Sequence, residues 1–243
     1  MLPIRDENPK PPGYRPIVTY FLIAINVIVF FWEVAVIGPS FEFTNQRAAM
    51  LFHQYGTVPS EITKGLIDKD YGVIQPLFSS MFLHAGIMHL GGNMLFLYIF
   101  GDNIELKFGR SKFLLLYLFW GLVADFAHIM SDPLSQIPAL GASGAISGVL
   151  GAYLILFPRA KIVTFILMGF FTRMTRISAM WYLPFWFIFQ NILPALIGSS
   201  GSGVAFLAHI GGFLIGLLSG YIYKITHRTE FTYGSRYGWK GNQ

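Results

Sequence analysis

No cysteine occurs among the 243 residues. A disulfide framework, a cysteine nucleophile and a thiolate metal site are therefore excluded. Charge is scarce too. Asp, Glu, Lys and Arg make up 12% of the chain, about half the share usual in a soluble domain. So few charges cannot clothe a globule of this size, which argues against a soluble enzyme. The hydrophobic share of 54% and the mean hydropathy of +0.55 argue equally against a disordered or fibrous chain. Acidic residues are the scarcer sign, 12 against 17 basic, for a net charge of +5. That excess would suggest a nucleic-acid partner only if the basic residues clustered on a soluble face.

What the chain does have is long apolar runs. A bilayer core needs about 20 apolar residues per helix. Six windows qualify: 17–38, 77–101, 113–131, 141–158, 177–197 and 203–224. The first is too long for a cleaved signal peptide, and no A-x-A site follows it. The expected fold is an all-α polytopic membrane protein. A polar, Pro-rich flexible arm covers 1–16, a six-helix membrane domain 17–224 and a tail 225–243. The apolar stretch Ile162–Phe171 is too short to cross. Arg159 and Lys161 precede it and Arg173 and Arg176 follow it, so it reads as an interfacial or re-entrant piece on one face.

The basic residues set the orientation. Arg5, Lys10 and Arg15 lie in the arm, and Lys107, Arg110 and Lys112 follow the second window. Arg159, Lys161, Arg173 and Arg176 follow the fourth; Lys224, Arg228, Arg236 and Lys240 lie in the tail. Only Arg47, Lys64 and Lys69 fall on the other side. This is a strong positive-inside bias. It places both termini in the cytoplasm, with the chain in the plasma membrane. The charge is then accounted for by lipid headgroups, with no nucleic-acid partner. The longest external loop, 39–76, holds Phe41, Phe43, Met50, Leu51 and Phe52 and is expected to rest partly on the outer leaflet.

Polar groups within spans are costly and mark function. The second window holds His84, His89 and Asn93. The fourth opens on Gly141-Ala-Ser143-Gly144, with Ser147 one turn deeper; the sixth carries Ala208-His209-Ile-Gly211-Gly212. All three windows run inward from the outer face. Ser143, His209, His89 and Asn93 thus reach a similar depth in the outer half. A Ser hydroxyl becomes a nucleophile when a base takes its proton, and an imidazole suits that task. Asn93, His89 and the N–H groups at the start of the fourth helix can receive an oxyanion. This is acyl-transfer chemistry, and it calls for no cofactor and no metal. Gly212, Gly216 and Gly220 recur every fourth residue, facing Ser143, Ser147 and Gly151 at the same spacing. Such small-residue faces let two helices touch backbone to backbone.

In these motifs the chain resembles the rhomboid intramembrane serine proteases of the six-helix prokaryotic type. The shared features are Gly141-Ala-Ser143-Gly144, His84-x4-His89-x3-Asn93 and Ala208-His209-Ile-Gly211-Gly212 with its glycine repeat. Gly101-x3-Glu105-x3-Gly109 and the opening Ile4-Arg5-Asp6-Glu7-Asn8 match as well. The resemblance implies Ser143 as nucleophile and His209 as general base. It implies His89, Asn93 and the Ser143 amide at the oxyanion, with His84, Gly141, Gly144 and Gly212 in support. It also implies single-pass transmembrane substrates, cut at or near the outer edge of their span. The Trp-Arg pair seen in the first external loop of some relatives is absent here.

Other polar residues take structural expectations. Ser147 reads as a packing residue. Asp125 and His128, three apart on one helix, can pair on one face; Asp125 reads as a structural hydrogen bond or a water-facing pair, with a third triad member as the lesser alternative. Glu33 is expected at the outer interface and Glu105 at the 102–112 turn. Pro184 and Pro194 break the fifth window, with Gln190 and Asn191 in its outer half. The resemblance implies a helix bordering substrate entry from lipid, so it reads either as a mobile gate or as a kinked helix filling irregular space. Two other function classes compete. A non-catalytic relative would lack the Ser or the His, and both are present. A transporter would favour an inverted repeat, and the two halves do not match.

Overall fold

From Ile17 to Ile37 the chain carries no Pro, no Gly and a single charge, and it forms the first long helix, α1. Pro16 precedes it and offers no side-chain cap. The cap comes from far along the sequence. The Glu105 carboxylate accepts the N–H groups of Val18 and Thr19 at 3.1 and 2.8 Å, and the Thr19 hydroxyl at 2.8 Å. An anion there satisfies orphan donors and meets the positive end of the helix dipole, for about 1 kcal/mol. Glu105 thus anchors α1, and it also serves the 102–112 turn, where its carbonyl accepts the Gly109 N–H at 2.8 Å and its Oε1 lies 3.9 Å from Arg110 Nε. That turn is itself mostly helix, because α5 runs Ile87–Phe108 with a π-turn at Leu97–Gly101. Gly109, at φ 79°, reverses the chain, and α6 follows at once over Arg110–Ser131.

The computed structural model describes residues 1–38, 45–168, 171–193, 196 and 205–227. Phe41, Phe43, Pro194, the first two residues of the sixth window and the tail from Arg228 onward lie outside the described residues. Three short helices, α2 (Gln46–Tyr55), α3 (Pro59–Asp68) and α4 (Ile74–Ser79), fill the loop before the second crossing. Then come α7 (Ser143–Leu156), α8 (Ala179–Phe187) and α9 (Phe206–Thr226).

The protein is a predominantly helical, multi-pass membrane protein. Among the described residues α1, α6 and α9 are each long and apolar enough to cross a bilayer. A fourth candidate is a bent pair, Tyr71–Phe82 meeting Ile87–Phe108 at 81°. The expectation of an unbroken span over 77–101 is therefore corrected. The chain kinks at Leu83–Gly86, where Gly86 takes φ 146°, and the crossing helix starts at Ile87. Glu33 explains the kink. It is fully buried in α1, and its carboxylate accepts the His84 N–H at 2.9 Å, an orphan donor of the broken turn. Glu33 does not reach the interface.

The other two windows are short as helices. α8 has nine residues and Pro184 inside it, then continues as a π-turn over Ile188–Ile192. α7 has 14 residues, and every residue from Gly144 to Tyr153 is buried. With no polar face to show to water, it becomes the central post. α5, α6, α8 and α9 all pack around it.

The stretch read as interfacial is a β-hairpin. Ile162-Val-Thr-Phe-Ile favours a strand because branched residues pack well on a pleat. β2 (Lys161–Met168) pairs antiparallel with β3 (Phe171–Ser178), matching Lys161 with Ser178 and Val163 with Arg176. The hairpin returns the chain, so both basic clusters stay on one side.

The N-terminal arm is not free either. β1 (Leu2–Asp6) adds to β2 in the order β1-β2-β3. Asp6 Oδ2 accepts Asn8 Nδ2, Asn103 Nδ2 and the Tyr153 hydroxyl, each at 2.8 Å. Lys10 pairs with Asp102, and Arg176 with Glu7 at 2.9 Å. The Ile4–Asn8 motif is thus the clasp joining the sheet to the ends of α5 and α7.

Candidate active site

The segment before α7 is held from two sides. Thr57 and Ala139 exchange two backbone hydrogen bonds of 2.9 Å, and the Gly141 N–H donates to the Ser80 carbonyl at 2.8 Å. Gly141 has φ 119°, a region that favours glycine. A Cβ there would also lie 2.8 Å from Cε1 of His89. Glycine therefore serves twice: it turns the chain into α7 and lets the His89 ring lie against the backbone. Ser143 is the first residue of α7, so its N–H is among the orphan donors of that helix.

Close packing brings the histidine to the serine. A Cβ on Gly212 would fall on the carbonyl of Gly144, and one on Gly216 on the carbonyl of Gly148. A Cβ on Gly220 would stand 3.0 Å from Ala152, and one on Gly144 2.6 Å from the Cβ of Ala124 in α6. α9 therefore lies backbone to backbone on α7 along the glycine stripe. One turn before Gly212, His209 Nε2 stands 2.7 Å from Ser143 Oγ. Ser147 is buried at the same helix contact, its Cβ 3.4 Å from where a Gly212 Cβ would be.

His84, His89 and Asn93 form a second group around the kink of α5. His84 is fully buried. Its Nδ1 lies 3.2 Å from the Phe82 carbonyl, so Nδ1 carries the proton. Its Nε2 then accepts a hydrogen bond from Asn93 Nδ2 at 3.0 Å. The His84 and His89 rings meet edge to face, centroids 5.1 Å apart. His84 thereby orients Asn93 and buttresses His89. The remaining hydrogen of the Asn93 amide is free to point toward Gly141, whose ideal Cβ is 3.6 Å from Nδ2.

Two cavities flank the Ser143–His209 pair. One, of about 400 Å³, is walled by Phe52, Ser80, Met81 and Asp125. The other, of about 550 Å³, lies between α5 and α8, against Asn93, Phe96, Trp186 and Gln190. The rings of Phe96 and Trp186 touch across it, centroids 4.6 Å apart. A short helix explains why the serine can be reached here. Fourteen residues span roughly 21 Å, against a hydrocarbon core of about 30 Å. One end of α7 must stop inside the bilayer, and Ser143 is at the end remote from the sheet.

Some expected pairings differ. Of the two readings of Asp125, the structural hydrogen bond is the one found, and its partners are not His128. Asp125 Oδ2 accepts the hydroxyls of Thr57 and Ser80 at 3.2 and 3.3 Å, tying α6 to the external segment. Asn191 was expected only as part of a gate or a kinked helix, yet Asn191 Oδ1 stands 2.5 Å from His209 Nδ1. A buried amide inside an apolar window was the available signal. The spacing from residue 191 to 209 gave no clue that they meet.

Comparison with known proteins places the chain in a family. The Rhomboid domain model matches residues 72–225, which takes in α5 to α9 and every residue of the site. The chain belongs to the rhomboid family. It is 38% identical over 106 residues to Rhomboid protein 1, mitochondrial, of Saccharomyces cerevisiae, covering 42% of this chain and 31% of that protein. It is 34% identical over 140 residues to Rhomboid protease GluP of Bacillus subtilis, covering 58% and 24% respectively. A third relative, RHOMBOID-like protein 6, mitochondrial, of Arabidopsis thaliana, is 32% identical over 166 residues, 67% of this chain and 48% of that one. The chain thus spans less than half the length of each of these relatives. The rhomboid domain is what they share.

Proposed function

We propose that this rhomboid is an intramembrane serine endopeptidase working through a Ser143–His209 dyad. The observation that carries the reading is the 2.7 Å contact between Ser143 Oγ and His209 Nε2, set between two cavities at a buried helix start. His209 Nε2 takes the Ser143 proton as Oγ attacks the scissile carbonyl. The new oxyanion receives hydrogen bonds from the Ser143 N–H, the Asn93 amide and the His89 ring. His209 then passes its proton to the leaving amine. A water, activated by the same imidazole, releases the acyl group from Ser143. His84 holds Asn93 in place throughout.

The substrates in this reading are single-pass transmembrane proteins, entering from the lipid and cut at or near the outer edge of their span. Support comes from the cavity between α5 and α8, where Phe96 meets Trp186, and from the names of the related proteases in Bacillus subtilis. We also place both termini in the cytoplasm of a cell whose plasma membrane holds the protein. Arg5, Lys10, Arg159, Lys161, Arg173 and Arg176 gather around the sheet, at the end of α7 away from Ser143. The test is incubation of the purified protein with a set of single-pass substrates, beside Ser143→Ala. Cleavage by the wild type alone supports the reading; equal cleavage by both rejects it.

A further inference from the structure

The dyad uses one nitrogen of His209 and leaves the other to be explained. His209 Nδ1 is 2.5 Å from Asn191 Oδ1. Asn191 is 2% exposed and sits in the π-turn that continues α8. That turn accommodates one residue more than an α-turn, and such insertions re-aim side chains. Here Ile188 and Phe189 face outward, about half exposed, while Asn191 points at the base.

The other end of the same amide is in a poor place. Asn191 Nδ2 is buried and has no hydrogen-bond partner among the described residues. A buried polar group left unpaired weakens a fold, whereas an apolar side chain of the same shape does not. The Nδ2 end therefore adds nothing to stability. What the amide supplies is its oxygen. An acceptor against Nδ1 keeps the ring proton on Nδ1 and leaves the lone pair of Nε2 for Ser143. Without it the ring can turn, or shift its proton to Nε2, and either change removes the base.

We propose that Asn191 is a positioning residue: its Oδ1 fixes the tautomer and orientation of His209, making the pair a Ser143–His209–Asn191 relay across α7, α9 and α8. The proposal rests on the dyad reading. Asn191 touches no substrate atom in it.

The test compares Asn191→Leu, Asn191→Asp and Ser143→Ala with the wild type, in one membrane substrate. Steady-state kinetics and the detergent Tm are measured for each. Leucine keeps the volume and deletes the acceptor. Its kcat should fall roughly 10- to 100-fold, part of the 10²–10⁴ that a positioned base contributes. KM should stay within about twofold, because a group acting only through the base leaves binding alone. Tm should change little, since the unpaired Nδ2 goes while the His209 Nδ1–H loses its acceptor. Asn191→Asp restores an oxygen acceptor and should recover most of kcat. Wild-type kcat in Asn191→Leu overturns the proposal. So does a joint fall of kcat and Tm that aspartate does not recover, which is the mark of a packing role. Persistent cleavage by Ser143→Ala instead removes the dyad itself, a failure distinct from either.

Discussion

Gly212→Leu should abolish activity without altering any group that touches substrate. The perturbation can be worked from the structure. An ideal Cβ at Gly212 overlaps the Gly144 carbonyl oxygen and lies only 3.0 Å from its carbon. Neither atom can retreat, because Gly144 is itself tight against Ala124 of α6. α9 must therefore move off α7 by roughly 1 Å or more to restore ordinary contact distances. His209 is one turn away on the same helix, and its 2.7 Å contact with Ser143 would stretch past hydrogen-bond length. A misplacement of about 1 Å can cost on the order of 100-fold in rate, and overpacking about 1–3 kcal/mol in stability. Kinetics in reconstituted vesicles and a detergent Tm read both effects. Gly212→Ala should show the same loss in milder form. Gly91→Ala is the control: a Cβ there meets nothing within 4 Å, so alanine should be neutral or slightly stabilising. Full activity and Tm in Gly212→Leu, or equal damage from Gly91→Ala, would refute the account of the glycine stripe.

Three further outcomes follow from the same structure. Asn93→Ala removes an oxyanion donor, which costs about 3 kcal/mol in soluble serine proteases; kcat should drop far more than KM rises, and an unchanged kcat takes Asn93 out of the mechanism. Asp6→Ala removes the acceptor shared by Asn8, Asn103 and Tyr153. Asn8 keeps the Tyr153 oxygen and Asn103 the Ile99 carbonyl, so the buried Tyr153 hydroxyl bears the loss. Stability should fall by about 1–3 kcal/mol, read as a lower Tm with kcat per folded molecule kept; an unmoved Tm would mean the clasp carries no stability. A substrate must unwind before its carbonyl can reach Ser143, since a membrane helix satisfies its own hydrogen bonds. Replacing Gly and Pro in the outer part of a substrate's span by Leu should therefore slow cleavage, and equal rates at the same bond would show that unwinding does not select substrates.

Much of the site is legible in the sequence, for a physical reason. The bilayer makes intramembrane Ser, His and Asn so costly that their presence in three windows points to chemistry. The four-residue glycine spacing likewise announces a helix contact, and α7 and α9 meet along it. What escapes is whatever depends on contacts distant in sequence. Glu33 looks like an interfacial carboxylate until the kink at His84 supplies an N–H for it to bind. Asp125 looks paired with His128 by helical spacing, but the loop residue Thr57 and Ser80 claim it. The arm 1–16 reads as coil because five prolines and a glycine crowd it, yet Leu2–Asp6 needs only a neighbouring strand edge to become ordered. The hairpin 161–178 hides for a similar reason, as a ten-residue apolar run has no helical or strand period of its own. Asn191 is the instructive case. Its role depends on a π-turn, and no local pattern distinguishes that turn from an ordinary one.

The central claim is that Ser143 is a nucleophile and His209 its base. It is tested most directly by reacting the folded protein with a serine-directed fluorophosphonate and locating the adduct by mass spectrometry. The adduct should lie on Ser143 and disappear in His209→Ala, with Ser147 unmodified. An adduct on Ser147, or labelling of Ser143 that is as fast without His209 as with it, would contradict the account.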